Sequence, residues 1–310
     1  SPLIIFLTNF LFTLWAFSDD VDANLTSEVW DVTDPQGQMK TISIDTVEST
    51  WSNLSISPDG KSFAFDMLGD IYTIPLAGGD ATPIVHGFDW NMQPAFSPDG
   101  ESIAFISDRD GASNLWIMDR NGDNPRQVSS EKTALIHTPA WSPDGNYIAV
   151  TKGFMSSRSI PAGEIWMYHH SGGDGVKVTS RAYGPHTQKN MTDPAFSPDG
   201  KYLYYTGDVT AGRVWEYGKN STTELFNIMR HDLKTGETSS YIGGAGGAIV
   251  PTPSPDGLHM AYLKREDTKT VLYLKNLKTG VDRRLTVNME RDHQETFGSE
   301  GNFAYFDWTP

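Results

Sequence analysis

The sequence predicts an all-β chain folded as a β-propeller of four-stranded antiparallel blades, with five full repeats and the start of a sixth. Three features predict it. The tetrapeptide Ser-Pro-Asp-Gly recurs at Ser57–Gly60, Ser97–Gly100, Ser142–Gly145, Ser197–Gly200 and Ser254–Gly257, with successive starts 40, 45, 55 and 57 residues apart. An unbroken apolar run follows every copy. Aromatic residues make up 12% of the chain, and its 29 glycines and 18 prolines are scattered, as many short strands joined by tight turns require.

The turn opens each unit. Proline presets φ for the second position of a type I turn, Ser and Asp supply side-chain hydrogen-bonding groups, and Gly closes the turn at little steric cost. Pro58, Gly60, Pro98, Gly100, Pro143, Gly145, Pro198, Gly200, Pro255 and Gly257 are therefore structural turn residues. The strand that follows contains Phe63-Ala64-Phe65, Ile103-Ala104-Phe105, Ile148-Ala149-Val150, Leu203-Tyr204-Tyr205 or Met260-Ala261-Tyr262. A strand with one wet face would alternate; these runs do not, which suits strands covered on both sides by neighbouring blades. A further strand comes at Ile71-Tyr72, Leu115-Trp116, Ile165-Trp166, Ile228-Met229 and Leu272-Tyr273. A Gly-containing hairpin and a short polar strand, such as Pro125–Ser129 or Arg283–Thr286, complete the unit. Trp308-Thr309-Pro310 looks like a sixth copy cut off halfway. Thr41–Val47 alternates like a strand and stands where an outer strand closing the ring would begin; with the sixth unit incomplete, it is expected to be weakly paired.

Residues 1–18 are expected to be a partial signal peptide: Leu3 to Phe17 is almost wholly apolar, Asp19-Asp20 follows, and Ala16 and Ser18 have the small-residue spacing of a cleavage site. The run is short of the roughly 20 residues of a spanning helix. Residues 19–38 then form a linker and 39–310 the propeller, in a periplasmic or secreted protein. The net charge of −15, from 39 acidic and 24 basic residues, argues against nucleic acid as a partner, and against a membrane beyond the signal segment. The absence of cysteine excludes disulfides, thiolate metal sites and thiol nucleophiles.

Strand alternation places the first and third connections of each blade on one face. The second connections and the crossovers between blades lie on the other. The extra residues in the longer repeats, Gly153–Glu164, Thr179–Met191 and Gly207–Glu224, all fall on that second face, which makes it a candidate binding face. His86, His137 and His186 lie in crossovers there. Asn53, Gln93, Thr138 and Asp193 hold equivalent places four residues before each turn, where they would form a polar rim of the central channel or satisfy backbone groups at strand ends. Arg291, His293 and Glu295 belong to a charged run in the last crossover, facing the channel or a following domain.

The unit Phe96–Val128, Phe-Ser-Pro-Asp-Gly followed by Ile-Ala-Phe, Asn-Leu-Trp-Ile-Met-Asp and Pro-Arg-Gln-Val, resembles the TolB-type, WD-like propeller repeat. Glu48–Trp51, Asp59–Gly79, Ser107–Arg126 and Arg291–Glu295 further resemble the N-terminal propeller of large secreted amidohydrolases. That resemblance implies a metal-dependent hydrolase barrel after the repeats, with a divalent metal such as zinc bound there and no cofactor in this segment. The residues present carry no such chemistry. No His-x-His metal pair, Gly-x-Ser-x-Gly elbow or phosphate-binding loop occurs, so no catalytic or metal-ligating residue is assigned. Three functions follow. The chain is the non-catalytic propeller of such an amidohydrolase, binding its downstream hydrolase domain or controlling substrate access; a free-standing TolB-like protein that holds a periplasmic protein; or the propeller of a prolyl-oligopeptidase-like serine peptidase.

Overall fold

The computed structural model describes residues 31–49, 52–156, 161–214, 223–267, 269–287, 289 and 305–310. Their strands form five four-stranded antiparallel blades, each pairing its strands in chain order. Blade 1 holds β1 (Leu54–Ile56), β2 (Ser62–Met67), β3 (Asp70–Pro75) and β4 (Thr82–Val85). Blade 2 holds β5 (Asn91–Phe96), β6 (Ser102–Ser107), β7 (Asn114–Asp119) and β8 (Arg126–Gln127). Blade 3 holds β9 (Leu135–Trp141), β10 (Tyr147–Met155), β11 (Pro161–His169) and β12 (Val176–Lys177). Blade 4 holds β13 (Met191–Phe196), β14 (Tyr202–Asp208), β15 (Phe226–Asp232) and β16 (Thr238–Ile242). Blade 5 holds β17 (Ile249–Pro253), β18 (His259–Glu266), β19 (Lys269–Asn276) and β20 (Asp282–Arg284).

The repeated turn does what its residues dictate. In the first copy Gly60 N–H donates to the Ser57 carbonyl at 2.8 Å, the Ser57 hydroxyl donates to Asp59 at 2.7 Å, and Asp59 accepts from Lys61 N–H at 3.1 Å. The turn glycines have φ of +67° at Gly60, +74° at Gly100, +72° at Gly145, +70° at Gly200 and +69° at Gly257, a region in which a Cβ is costly. The serine hydroxyl holds the carboxyls of Asp59, Asp99, Asp144 and Asp256 below their ordinary range. At Asp199 the Lys201 ammonium leads the same effect and lowers it to about 2.

The apolar runs are continuous because both faces of β6, β10, β14 and β18 are covered. In blade 2, Ile103, Phe105 and Met118 pack on Ala64 and Ile71 of blade 1, while Ala104, Ile106 and Leu115 pack on Ile136, Ile148 and Val150 of blade 3. The same alternation joins Ala149 and Ile165 to Leu203 and Tyr205, and then Tyr204 and Ile228 to Met260 and Tyr262. Each such side chain contributes about 1.5–3 kcal/mol by leaving water.

Three points refine the sequence expectations. Gly153–Glu164 is not a loop: β10 and β11 run through most of it, and Gly153 pairs with Gly163. Thr41–Val47 pairs with no strand, and Ile42, Ile44 and Val47 are exposed. Tyr305–Pro310 belongs to none of the five sheets and lies between blades 5 and 1. There Trp308 Nε1 donates to the Thr252 carbonyl at 3.0 Å, and Asp307 accepts from Ile56 N–H at 2.8 Å. The expected signal segment, residues 1–18, lies outside the described residues, as do Arg291, His293 and Glu295.

Candidate binding funnel

The innermost strands β5, β9, β13 and β17 share a local distortion. Gln93, Thr138, Asp193 and Val250 have φ of +56°, +50°, +53° and +56°, and each stands immediately before a proline. A non-glycine residue held in that region costs on the order of 1–3 kcal/mol. The ladders slip there, between Met92 and Ala95, Thr192 and Ala195, and Ile249 and Thr252, and opposite Thr138 between Ala149 and Thr151. These are β-bulges, which take the residue out of its ladder and re-aim its backbone N–H.

The freed N–H groups lock one blade to the previous one. Gln93 N–H donates to Asp66 of blade 1 at 2.7 Å, Thr138 N–H to Gln93 Oε1 of blade 2 at 2.7 Å, and Val250 N–H to Thr206 Oγ1 of blade 4 at 3.0 Å. Asn53 donates to Asp66 from its backbone at 2.6 Å and from its amide at 2.9 Å. The Thr138 and Thr151 hydroxyls share a bond of 2.7 Å, and Thr151 reaches Thr192 at 3.3 Å. Asp193 closes the ring, accepting from Thr206 at 3.3 Å and from the Tyr305 hydroxyl at 3.2 Å.

Two carboxyls of this ring are held against their nature. Burial drives the Asp193 carboxyl up to about 7, in spite of its bonds from Tyr305 and Thr206. Burial also raises Asp66, opposed by the N–H groups of Gln93 and Asn53. Near neutral pH Asp193 therefore exchanges between a protonated donor and a carboxylate.

The ring is the floor of a funnel of about 470 Å³. Pro94, Pro139, Pro194 and Pro251 stand just above it, Ala95, Ala140 and Ala195 form the wall, and turn prolines such as Pro98 and Pro198 form the mouth. The funnel opens on the face of the repeated turns, opposite the face that carries the insertions. The expected rim residues Asn53, Gln93, Thr138 and Asp193 do converge, but inside the channel and toward the constant face. The bulges draw them inward, a displacement that periodicity alone does not reveal.

Residues 36–181 match the TolB beta propeller domain. That stretch is a TolB-type β-propeller domain. Among curated relatives, the uncharacterized peptidase YuxL of Bacillus subtilis (strain 168) is 28% identical over 221 residues, 62% of this chain and 31% of the relative. The uncharacterized protein Atu1656 of Agrobacterium fabrum (strain C58) is 29% identical over 157 residues, 48% of this chain and 52% of the relative. The chain thus spans from about a third to half of the length of these relatives. A solved structure assigned as TolB from Agrobacterium tumefaciens superposes with a TM-score of 0.59 at 22% identity, covering 75% of this chain and 79% of that one. At that identity the likeness carries the fold alone. None of these three proteins bears an amidohydrolase name.

The TolB-type frame does not bring the three crossover histidines to one place of action. His86 and His186 are exposed, with His86 beside a shallow hollow of about 260 Å³ that also touches Asp89 and Arg109. His137 sits within β9; burial lowers its imidazole to about 4, and its Nε2 is shut off from solvent without a partner. Sequence reasoning missed the ring members on the second strands. Asp66, Thr151 and Thr206 all stand nine residues after a turn serine, each a polar residue after the repeat's apolar run. That break in the pattern was the available signal. The four X-Pro pairs of the inner strands were another, since proline inside a central strand marks a bulge.

Proposed function

We propose that this chain is a non-catalytic propeller module of a secreted or periplasmic protein, and that it binds a segment of a protein partner or adjoining domain in the funnel. The observation that carries this is the funnel itself. Its walls are rigid rings of proline and small alanines, which offer apolar surface to an extended chain. Its floor groups are engaged with one another and form no nucleophile–base pair of the kind hydrolysis requires. The apolar stretch Leu3–Phe17 supports export. An adjoining hydrolase is the natural user of such a module, as a filter for substrate. The sequence resemblance favours an amidohydrolase barrel, whereas the relative named as a peptidase favours a serine peptidase of the prolyl-oligopeptidase type. A free-standing TolB-like binding protein uses the same funnel.

Purified chain, with and without added zinc, is expected to show no turnover of amide, ester or peptide substrates, and to retain members of a random heptapeptide library. Ala195→Trp, which narrows the funnel, should abolish that retention while the chain stays folded by circular dichroism. A zinc-dependent amidase activity that survives clean purification would overturn the non-catalytic assignment, and retention unaffected by Ala195→Trp would move binding elsewhere.

Tyr305–Pro310 is, in the same proposal, the inner strand of a sixth blade. Three repeated contacts support it. Trp308 Nε1 meets the Thr252 carbonyl at 3.0 Å as Trp141 Nε1 meets the equivalent Ala95 carbonyl at 3.0 Å. Ile56 N–H donates to Asp307 at 2.8 Å as Phe96 N–H donates to Ser55 at 3.1 Å. Pro310 faces Gly60 of blade 1 as Pro58 faces Gly100 of blade 2. Trp308→Ala should cost about 1–3 kcal/mol in urea unfolding, through lost packing and one hydrogen bond. A cost within error of zero would mean that the segment is not a docked strand.

A further inference from the structure

Blade 1 carries an interface with nothing on it. In blades 2 to 5 the second strand buries two side chains against the preceding blade, at the sixth and eighth residues after the turn serine. These are Ile103 and Phe105, Ile148 and Val150, Leu203 and Tyr205, and Met260 and Tyr262, and none exceeds 3% exposure. The equivalents in blade 1 are Phe63 and Phe65, and neither is buried. They stand with Leu54, Ile56, Tyr72 and Ile74 on the face turned away from blade 2, as their register shows: Phe65 pairs with Leu54 and Tyr72, and Phe63 with Ile56 and Ile74. The rings mostly cover one another, Phe65 stacked on Tyr72 at 5.5 Å and Phe63 tilted on Phe65 at 5.8 Å. Residues of interior type in the positions of an interior, yet open to solvent, mark a docking face.

The occupant is indicated by what already adjoins the face. Tyr305–Pro310 is seated at its inner edge through Asp307 and Pro310, and pairs with no strand among the described residues. On the far side Leu263 of blade 5, whose equivalent in blade 2 is the buried Ile106, is grouped with Tyr305 and Phe306. We infer that the aromatic face of blade 1 is the docking surface for an antiparallel sheet of the same polypeptide, built onto the free edge of Tyr305–Pro310 and presenting small and aliphatic side chains, as Ala64 and Ile71 do to blade 2. This rests on Tyr305–Pro310 being an inner strand. A sheet attached to that strand arrives with its register set, which a separate molecule would lack.

The chain has no cysteine, so single thiol reporters are clean. Ala64 and Phe65 are neighbours on β2 that face opposite ways, Ala64 fully buried against blade 2. In the 310-residue chain, Phe65→Cys should react with a maleimide on the order of 100-fold faster than Ala64→Cys under native conditions, because the first needs no opening of the fold. Phe63→Cys serves as a second reporter if Phe65→Cys folds poorly. In the longest native polypeptide that carries this sequence, the reporter at 65 should slow to the rate at 64. Equal rates already in the 310-residue chain would overturn the inference. Protection that grows with protein concentration would assign the face to a second copy and also overturn it, as would an open reporter in the native polypeptide. The Trp308→Ala measurement separates the two ideas: it tests whether the inner strand is docked, whatever the thiols report.

Discussion

Asp193→Asn should stabilise the chain at pH 8 and leave its stability near pH 4.5 almost unchanged. In the folded chain the Asp193 carboxyl holds its proton up to about 7, whereas in the unfolded chain it ionises near its ordinary value. Between those values the folded state keeps a proton that the unfolded state has released, so stability falls as pH rises through the window and the loss is complete above 7. The differential is about 2–4 kcal/mol at pH 8, taking the low end where water relaxes around the carboxylate. Asparagine removes it. Its amide oxygen still accepts from Tyr305, and its NH₂ can donate to Thr206. Asp66, raised in the same direction, leaves a residual slope in the variant. The turn carboxyls act oppositely: their values are lowered, so their contribution is present above the ordinary carboxylate range and is lost as pH drops below it. Urea midpoints at pH 4.5, 6 and 8 test this, with both chains in equal salt. Parallel curves for the two chains would show that Asp193 is not held protonated.

The repeat was legible because its turn is a local device. Ser-Pro-Asp-Gly sets dihedrals and hydrogen bonds among its own residues and those immediately following, so five copies announce five blades wherever the chain goes next. The double-sided burial of Ile103-Ala104-Phe105 was legible for a similar reason: a run that fails to alternate has no wet face. The funnel floor was harder to foresee. Gln93, Thr138 and Asp193 were found by position, but their inward turn depends on a bulge whose N–H is satisfied by the neighbouring blade, a contact some 27 residues away for Gln93 and Asp66. Tyr305 reaches Asp193 over 112 residues and no repeat pattern encodes that pair. Sequence distance, not side-chain type, hid these partners.

The two faces differ in what a glycine does, and the largest single-residue cost is expected where length variation suggested tolerance. Gly145 belongs to the constant turn, has φ of +72°, and nothing stands within 4 Å of the place a Cβ would take. Gly145→Val therefore bears only the backbone penalty of the left-handed region, about 1–2 kcal/mol. Gly163 falls in the inserted stretch of blade 3, where length alone would suggest a forgiving loop. It is instead paired within β11, opposite Gly153, and its N–H donates to Asn190 Oδ1 at 2.6 Å. A Cβ there would press on the Met191 carbonyl oxygen and would lie 2.6 Å from Thr151 Cγ2 and 2.9 Å from Asn190 Oδ1. Two of these contacts belong to the chain entering blade 4 and one to the ring at the funnel floor, so relief requires blades 3 and 4 to part. Gly163→Val should cost about 3 kcal/mol or more, the upper end for overpacking against backbone. Unfolding of the two variants in urea, side by side, decides it. A smaller loss at Gly163 than at Gly145 would mean that the extended hairpin of blade 3 can move away from blade 4, and that the bulged ring alone holds the two blades together.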